Sequence, residues 1–218
     1  VAGKLKRGST LMTQRPFRSP HHTVSPVALV GGGTNPMPGE ISLAHNGILF
    51  LDELPEFNRT VLEVMRQPLE DRLISISRAK YSVEYPASFM MVASMNPCPC
   101  GYYGHPSKEC ICQPGARQRY MNRISGPLLD RIDIQIELGP VSFDEMHKGE
   151  GDGESSADIR ARVNRARAFA RERFRGAGGC FSNAALSPAE VRKYCLLDEG
   201  ADTLLRGAFA SLGLTARG

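Results

Sequence analysis

Gly47-Ile48-Leu49-Phe50-Leu51-Asp52-Glu53 is the stretch whose reading decides the fold. Four consecutive large apolar residues, too few for a typical helix and bounded by Gly47, predict a buried parallel strand. That strand delivers two adjacent carboxylates at its C-terminal end, which is where open α/β sheets bind ligands. Such a pair suits a nucleotide site: Asp52 can hold Mg²⁺, directly or through water, and Glu53 can polarise an attacking water. On this stretch alone, a strand ending in a plain polar turn fits equally well.

Downstream, Asn58 predicts a helix cap, followed by Val61, Leu62, Met65 and Leu69 on one face, with Pro68 fraying the helix end. Leu73 to Ser77 and Tyr81 to Tyr85 alternate around Arg78-Ala79-Lys80, predicting a hairpin with a basic tip. Phe89 to Met95 reads as a second buried strand, and it ends in Asn96, a polar amide at a strand tip. A basic helix around Arg117 to Ile124 follows, then Leu128-Leu129-Asp130-Arg131, then a third alternating strand from Asp133 to Leu138. Strands separated by helical patterns predict an α/β fold with a mostly parallel sheet. Upstream, residues 15 to 47 are rich in Pro, Gly, Ser and His. Their apolar run Val27-Ala28-Leu29-Val30, followed by Gly31-Gly32-Gly33, reads as loop and hairpin rather than core helix.

Gly149-Glu150-Gly151-Asp152-Gly153-Glu154-Ser155-Ser156 reads as a flexible polar linker. The predicted organisation is an α/β core at residues 1–148, a linker at 149–157 and a partial helical domain at 158–218. In that last part Ile159, Val163, Ala166 and Ala170 form an apolar face among arginines. Ser187-Pro188-Ala189-Glu190 is a capping box with proline at the first helical position, and a last helix runs from about Asp198 to Leu212.

With 218 residues the chain has room for one full domain and a smaller one, and its net charge of +4 permits a nucleic-acid partner without demanding one. No apolar run reaches the roughly 18 residues of a membrane span and no signal-peptide pattern opens the chain, so a cytoplasmic protein is expected. Val1 opens without a methionine and Gly218 closes just after a helical pattern, so the chain is expected to be a segment of something longer.

Four of the six cysteines lie between Cys98 and Cys112. In a cytosolic chain that clustering favours metal over disulfides. Cys98, Cys100, Cys110 and Cys112 form two C-x-C pairs nine residues apart, enough for a tetrahedral zinc site that would let a Gly/Pro-rich loop fold without a core. The spacing is tighter than the usual C-x₂-C, and reduced, unliganded thiols are the alternative. His105 is a substitute ligand or a solvent-exposed loop histidine, while Cys180 and Cys195 read as ordinary helical-domain residues. His21 and His22 are adjacent, a placement that points side chains apart on most backbones and argues against a shared metal.

Asp52-Glu53, Asn96 and Asp130-Arg131 together resemble the Walker B, sensor 1 and arginine-finger positions of an AAA+ ATPase. The strings "RPFRSPHHT" from Arg15, "FLDELPEF", "RQPLED", "MNPCPCG" and "SGPLLDRID" resemble the ComM (YifB-like) group of magnesium-chelatase-like proteins over nearly the whole chain. That resemblance implies an ATP-driven ring of identical subunits, a hexamer, acting on DNA during recombination of incoming DNA. It also implies roles: Asp52 for Mg²⁺, Glu53 for activating water, Asn96 for orienting it, Arg131 as a finger into the neighbouring subunit, and Arg217 as the sensor 2 arginine. Related motors grip the DNA backbone with an insert and a hairpin, which singles out Arg15, Arg18, Arg78 and Lys80, with Arg117, Arg119 and Arg123 on the basic helix. Phosphate contacts of this kind are sequence-independent, and a solvated charged surface is the alternative for each residue.

No G-x-x-x-x-G-K-[ST] occurs, and Gly31-Gly32-Gly33-Thr34 lacks the lysine. In the resembled family that loop precedes the first residues present here, so this stretch by itself is expected to bind ATP poorly or not at all. Two rivals remain: a true chelatase motor driving metal insertion into a porphyrin, which the cysteine loop speaks against, and a zinc-stabilised DNA-binding module without catalysis.

Overall fold

The computed structural model describes residues 8, 12–78, 81–141, 153–175 and 183–212, and the chain divides into two compact units, residues 1–138 and 139–217. In chain order the first unit carries β1 (Phe17–Arg18), α1 (Pro26–Val30), β2 (Gly31–Gly32), β3 (Met37–Pro38) and α2 (Glu40–Leu43). There follow β4 (Ile48–Leu51), α3 (Arg59–Val64), α4 (Arg66–Asp71), β5 (Leu73–Arg78), β6 (Tyr81–Pro86), β7 (Met90–Ala93), α5 (Ala116–Met121) and α6 (Gly126–Leu129).

β4 is the centre of a three-stranded, fully parallel sheet, flanked by β1 and β7. Its alternation follows the pleat: Leu49 and Leu51 are completely buried, while Ile48 and Phe50 are half-buried on the other face. Leu49 and Leu51 pack into a core with Leu29, Ile41, Val61, Leu62, Met65 and Leu128. Gly47 is needed for the approach of β1. A Cβ at Gly47 would stand 1.9 Å from the Pro16 carbonyl oxygen, which accepts a 2.9 Å hydrogen bond from the Ile48 amide.

Several local expectations are corrected. Val27 to Val30 form a helical turn, α1, because the Ser25 hydroxyl caps the Ala28 amide and Pro26 sits where a missing N–H costs nothing. The glycines after it do form a hairpin, β2 with β3. Leu29 and Ile41, placed outside the core by their Pro/Gly-rich surroundings, are fully buried in it. The helix after Asn58 breaks at Met65, not beyond Pro68. Proline has no N–H to give the carbonyl four residues earlier, that of Val64, and its ring crowds that carbonyl, so the break falls upstream of it. β7 pairs with β4 as expected but leaves Met90 and Val92 62% and 40% exposed, so it is not a buried strand. Asp133 to Leu138 pairs with no strand among the described residues, and Ile134, Ile136 and Leu138 lie exposed. Alternation alone cannot make a strand without a neighbour to hydrogen-bond.

β5 and β6 form the expected hairpin in register from Leu73↔Pro86 to Arg78↔Tyr81. Its tip residues Ala79 and Lys80 lie outside the described residues.

The second unit is helical: α7 (Ser156–Arg173), α8 (Pro188–Tyr194) and α9 (Glu199–Leu212). Ser187 and Glu190 make both hydrogen bonds of the predicted capping box. The expected apolar face of α7 is exposed, with Ile159 and Val163 each 42% accessible, and Phe174 is the buried hydrophobic residue described in this unit. Phe174 meets Tyr194 edge to face at 5.4 Å. No described helix is long and apolar enough to cross a membrane.

Gly47→Ala should lower the unfolding free energy of the first unit by about 1–3 kcal/mol, because backbone must move to admit the Cβ. Gly126→Ala, where a Cβ meets nothing within 4 Å, should stay within about 0.5 kcal/mol. Denaturant unfolding of the two variants side by side checks the contrast.

Candidate functional site

Parallel pairing puts the C-terminal ends of β1, β4 and β7 at one edge of the sheet. Asp52 follows β4 directly; its Oδ1 accepts a 3.0 Å hydrogen bond from the Glu53 amide and another from the Ser94 hydroxyl, just past β7. Backbone bonds from Ser94 N to Leu51 O (3.0 Å) and from Leu54 N to Ser94 O (2.9 Å) lock the two tips together. Glu53 takes a left-handed conformation, φ 55° and ψ 49°, uncommon for a residue with a Cβ. The chain then turns into the short 3₁₀ segment Leu54–Glu56. The side chains of Asp52 and Glu53 remain exposed.

Further groups line this edge. His22 Nδ1 lies 3.5 Å from Glu53 Oε2, and the His21 ring lies against that of His22 with centroids 4.0 Å apart and planes tilted by 35°. The two histidines therefore do not point apart. Tyr120, on α5 and 5% exposed, meets the backbone of Asn96; burial and then the charge of Glu56 hold its hydroxyl above the usual phenol range. Arg123 Nη1 donates to the Pro55 carbonyl at 3.0 Å and to Glu56 Oε2 at 2.8 Å. Arg123 thus braces the turn after Glu53, a connection its place on a basic helix did not suggest.

The remaining predicted cations are placed separately. Arg131 donates to Glu70 and, at 2.5 Å, to the Pro127 carbonyl; its side chain is 15% exposed and its Nε is buried without a hydrogen-bond partner. Arg18 makes a two-pronged pair with Glu40 (2.5 and 2.6 Å), and Arg15 donates to the Asn46 carbonyl. Arg78 closes β5, whereas Lys80 and Arg217 fall outside the described residues.

The second constellation is fully assembled. Cys98, Cys100, Cys110 and Cys112 bring all four sulfurs within 4.8 Å of one another. The separations Cys98–Cys100, Cys98–Cys110 and Cys100–Cys110 are 3.4, 3.7 and 3.6 Å. A regular tetrahedron of sulfurs about 2.3 Å from a central ion has edges of about 3.8 Å, so the donor set fits a thiolate-bound metal. The thiols titrate as a group. The backbone N–H of Tyr102 pulls Cys100 down to about 6. For Cys112 the Cys100 backbone contact opposes the shift, but partial burial and the neighbouring thiols push it up to about 12. Four thiolates this close cannot all carry charge without a cation between them. His105 is neither ligand nor free: its Nδ1 accepts the amides of Ser107 (3.2 Å) and Lys108 (3.1 Å). Cys195 is exposed and free, and Cys180 lies outside the described residues.

Comparison with known proteins gives the family of the chain. Residues 1–146 match the magnesium chelatase, subunit ChlI, family and residues 153–218 match the family of its C-terminal part. The chain belongs to the magnesium chelatase family. Among curated members of this family, it is 47% identical over 204 residues to the competence protein ComM of Haemophilus influenzae and 46% identical over 206 residues to YifB of Escherichia coli K12. Each alignment covers 94% of this chain and 39% of the relative. A Mycobacterium tuberculosis protein is 39% identical over 219 residues, covering all of this chain and 42% of that protein. The chain therefore spans about two fifths of the length of these relatives, and it falls with their ComM and YifB kind. The family is AAA+-like, in keeping with the α/β unit and its parallel sheet.

The sequence of this magnesium chelatase family chain picked out Asp52, Glu53, Asn96 and the cysteines, weighed His22 only as a metal ligand, and did not single out Ser94 or Tyr120. Two were within reach: Ser94 stands two residues before Asn96, and His22 lies four residues past β1, hence at the same edge. Tyr120 had no local signal, since only the packing of α5 brings it to Asn96.

Its raised pKa gives a pH dependence. A proton held more tightly in the folded than in the unfolded chain stabilises the fold below the unfolded value, about 10 for tyrosine, and the contribution fades as pH climbs through the higher folded value. Unfolding free energy should fall above about pH 10, and Tyr120→Phe should flatten that fall. Denaturant titrations at several alkaline pH values measure it.

Proposed function

We propose that the intact protein is an ATP-driven ring motor acting on DNA, of the branch-migration type used in recombination of incoming DNA. The observation that carries this reading is the sheet edge where Asp52 and Glu53 leave the central parallel strand and Ser94 of the neighbouring strand fixes Asp52. Membership of an AAA+-like family and likeness to a relative named for competence support it.

In this reading each residue has one task. The Ser94 hydroxyl and the Glu53 amide both donate to Asp52 Oδ1 and so fix the carboxylate that would hold a Mg²⁺ ion. Bound there, Mg²⁺ would neutralise charge on the transferring phosphoryl group. Glu53, exposed and turned out by its left-handed backbone, accepts the proton of the attacking water, and Asn96 orients that water. Arg131 exchanges Glu70 for the nucleotide of a neighbouring subunit in a hexameric ring, and Arg217 contacts nucleotide from the C-terminal part. Arg15, Arg18, Arg78 and Lys80 meet the DNA backbone without regard to sequence. Cys98, Cys100, Cys110 and Cys112 would hold Zn²⁺ as a structural ion.

Glu53→Gln in the intact protein should lower ATP hydrolysis by about 10²-fold or more while leaving ATP binding intact, because the amide keeps the shape but accepts no proton. Steady-state hydrolysis with and without DNA, beside nucleotide binding by calorimetry, checks it. Near-normal turnover would remove Glu53 from the mechanism. Stimulation by a porphyrin-inserting partner instead of DNA would favour a chelatase.

The zinc assignment has its own readout. Adding zinc to the metal-free protein at pH 7.5 should release about three to four protons per ion, since thiols of the ordinary pKa, about 8.5, are mostly protonated there. Cys98→Ser should lose the bound zinc. One zinc per chain by elemental analysis, absent in that variant, is the expected result.

A further inference from the structure

The loop that carries the cysteines holds a second pattern, which metal binding alone does not require. Between its two C-x-C pairs stand Tyr102 and Tyr103, 37% and 48% exposed, and Ile111 between the second pair is 81% exposed. Each tyrosine ring carries a cation. The Arg117 guanidinium lies 3.9 Å from the Tyr103 centroid, and the Lys108 ammonium lies 5.0 Å from that of Tyr102. Tyr102 is steadied further by the edge of His105, with ring centroids 6.0 Å apart.

This display is built, not incidental. The Tyr102 amide meets the Cys100 sulfur and the Tyr103 amide meets that of Cys98, so the backbone under both rings is pinned to the cysteine centre. His105 Nδ1 gathers the amides of Ser107 and Lys108, which turns Lys108 back over Tyr102. The loop and the start of α5 also carry Arg119, against one acid, Glu109. A protein partner would be met by apolar surface continuous with these rings; here the rings alternate with cations instead.

An exposed aromatic ring paired with a cation is complementary to one nucleotide: a base face stacks on the ring and the adjoining phosphate meets the cation. In a duplex the base faces are already stacked on one another, so only a single strand offers both halves. We propose that Tyr102 and Tyr103, with Lys108 and Arg117, form a stacking platform for single-stranded nucleic acid, held in place by the four-cysteine centre. The inference rests on the DNA reading of the intact protein and adds to it a strand state and the residues that recognise it.

The test uses the intact, zinc-loaded protein, a labelled oligothymidylate and a labelled duplex, with affinities from fluorescence anisotropy over a range of salt. Alanine at both positions, Tyr102→Ala with Tyr103→Ala, should weaken single-strand binding by about tenfold for each ring. Duplex affinity and the salt slope should not change, since no phosphate contact is removed. Phenylalanine at both positions keeps the stacking surface and should retain single-strand affinity, while the loss of tyrosine fluorescence on adding oligothymidylate to the native protein should disappear. Zinc content measured on each variant establishes that the loop is folded. Removing zinc with a chelator should cost single-strand affinity as the alanine pair does. If the alanine pair binds the single strand as the native protein does, or weakens both ligands alike, the platform is wrong and the motor reading stands. If the phenylalanine pair still shows the full quenching, these tyrosines are not the stacked ones and the platform fails even if the alanine pair cannot fold. A native protein that binds neither ligand overturns the DNA reading and the platform together.

Discussion

Everything at the acidic edge depends on the parallel register of β4 with its neighbours. Leu51↔Ala93 fixes where both strands stop, and the two backbone bonds through Ser94 stop them together. Without that alignment Asp52 would have no Ser94 hydroxyl and Asn96 no Tyr120 beneath it. The register is in turn held by a steric fact at the opposite end of β4, the contact of Gly47 with Pro16, which any side chain would prise apart. A strand of four residues contributes little by itself; burial of Leu49 and Leu51 on one face is what pins it.

What could be read from the sequence follows from whether the determinant was local. The run from Ile48 to Leu51 and the hairpin from Leu73 to Tyr85 carry their own period, and both formed. The capping box at Ser187 is a contact between residues three apart, and it formed as well. Asp133 to Leu138 has the same alternation, yet a strand also needs an edge to join, and periodicity says nothing about that. Leu29 and Ile41 were hidden by the opposite failure: short helical turns capped by Ser25 and led by Gly39 place single side chains in the core without a period to betray them. At the site, chemistry-bearing types at strand ends were visible in sequence. The partners beside them, His22 for Glu53 and Tyr120 for Asn96, stand 31 and 24 residues away in sequence and are visible only once the sheet is assembled.

The two constellations solve opposite electrostatic problems. Asp52 and Glu53 are neighbours in sequence, but solvent reaches both, and a left-handed residue between strand and turn directs them differently. In the proposed motor, both carboxylates would be open to a cation and its phosphates. The cysteines are packed closely enough that ionising one raises the cost of ionising the next, as the spread between Cys100 and Cys112 shows. Such a cluster is complete only with a positive ion at its centre, so the loop's fold and its charge state are one variable. The tyrosine amides that touch the sulfurs extend that coupling to the surface of the loop.

In the proposed ring, Arg131 would be held ready without being in place. Arg131 is mostly shielded from water while Glu70 is 43% exposed, so the pair is partly solvated and parting it carries a modest Coulomb cost. Yet the guanidinium is not fully satisfied there: Nη1 and Nη2 have partners and the buried Nε has none. A phosphate offers a planar fork more acceptor oxygens than this carboxylate provides, and can engage Nε as well. The balance between Glu70 and a phosphate is therefore set by how well the second site is built, and in the proposed ring that site is assembled only when a neighbouring subunit brings its own Asp52 edge and nucleotide into reach. An arginine restrained in this way would leave a lone subunit catalytically incomplete, tying hydrolysis to assembly through one side chain.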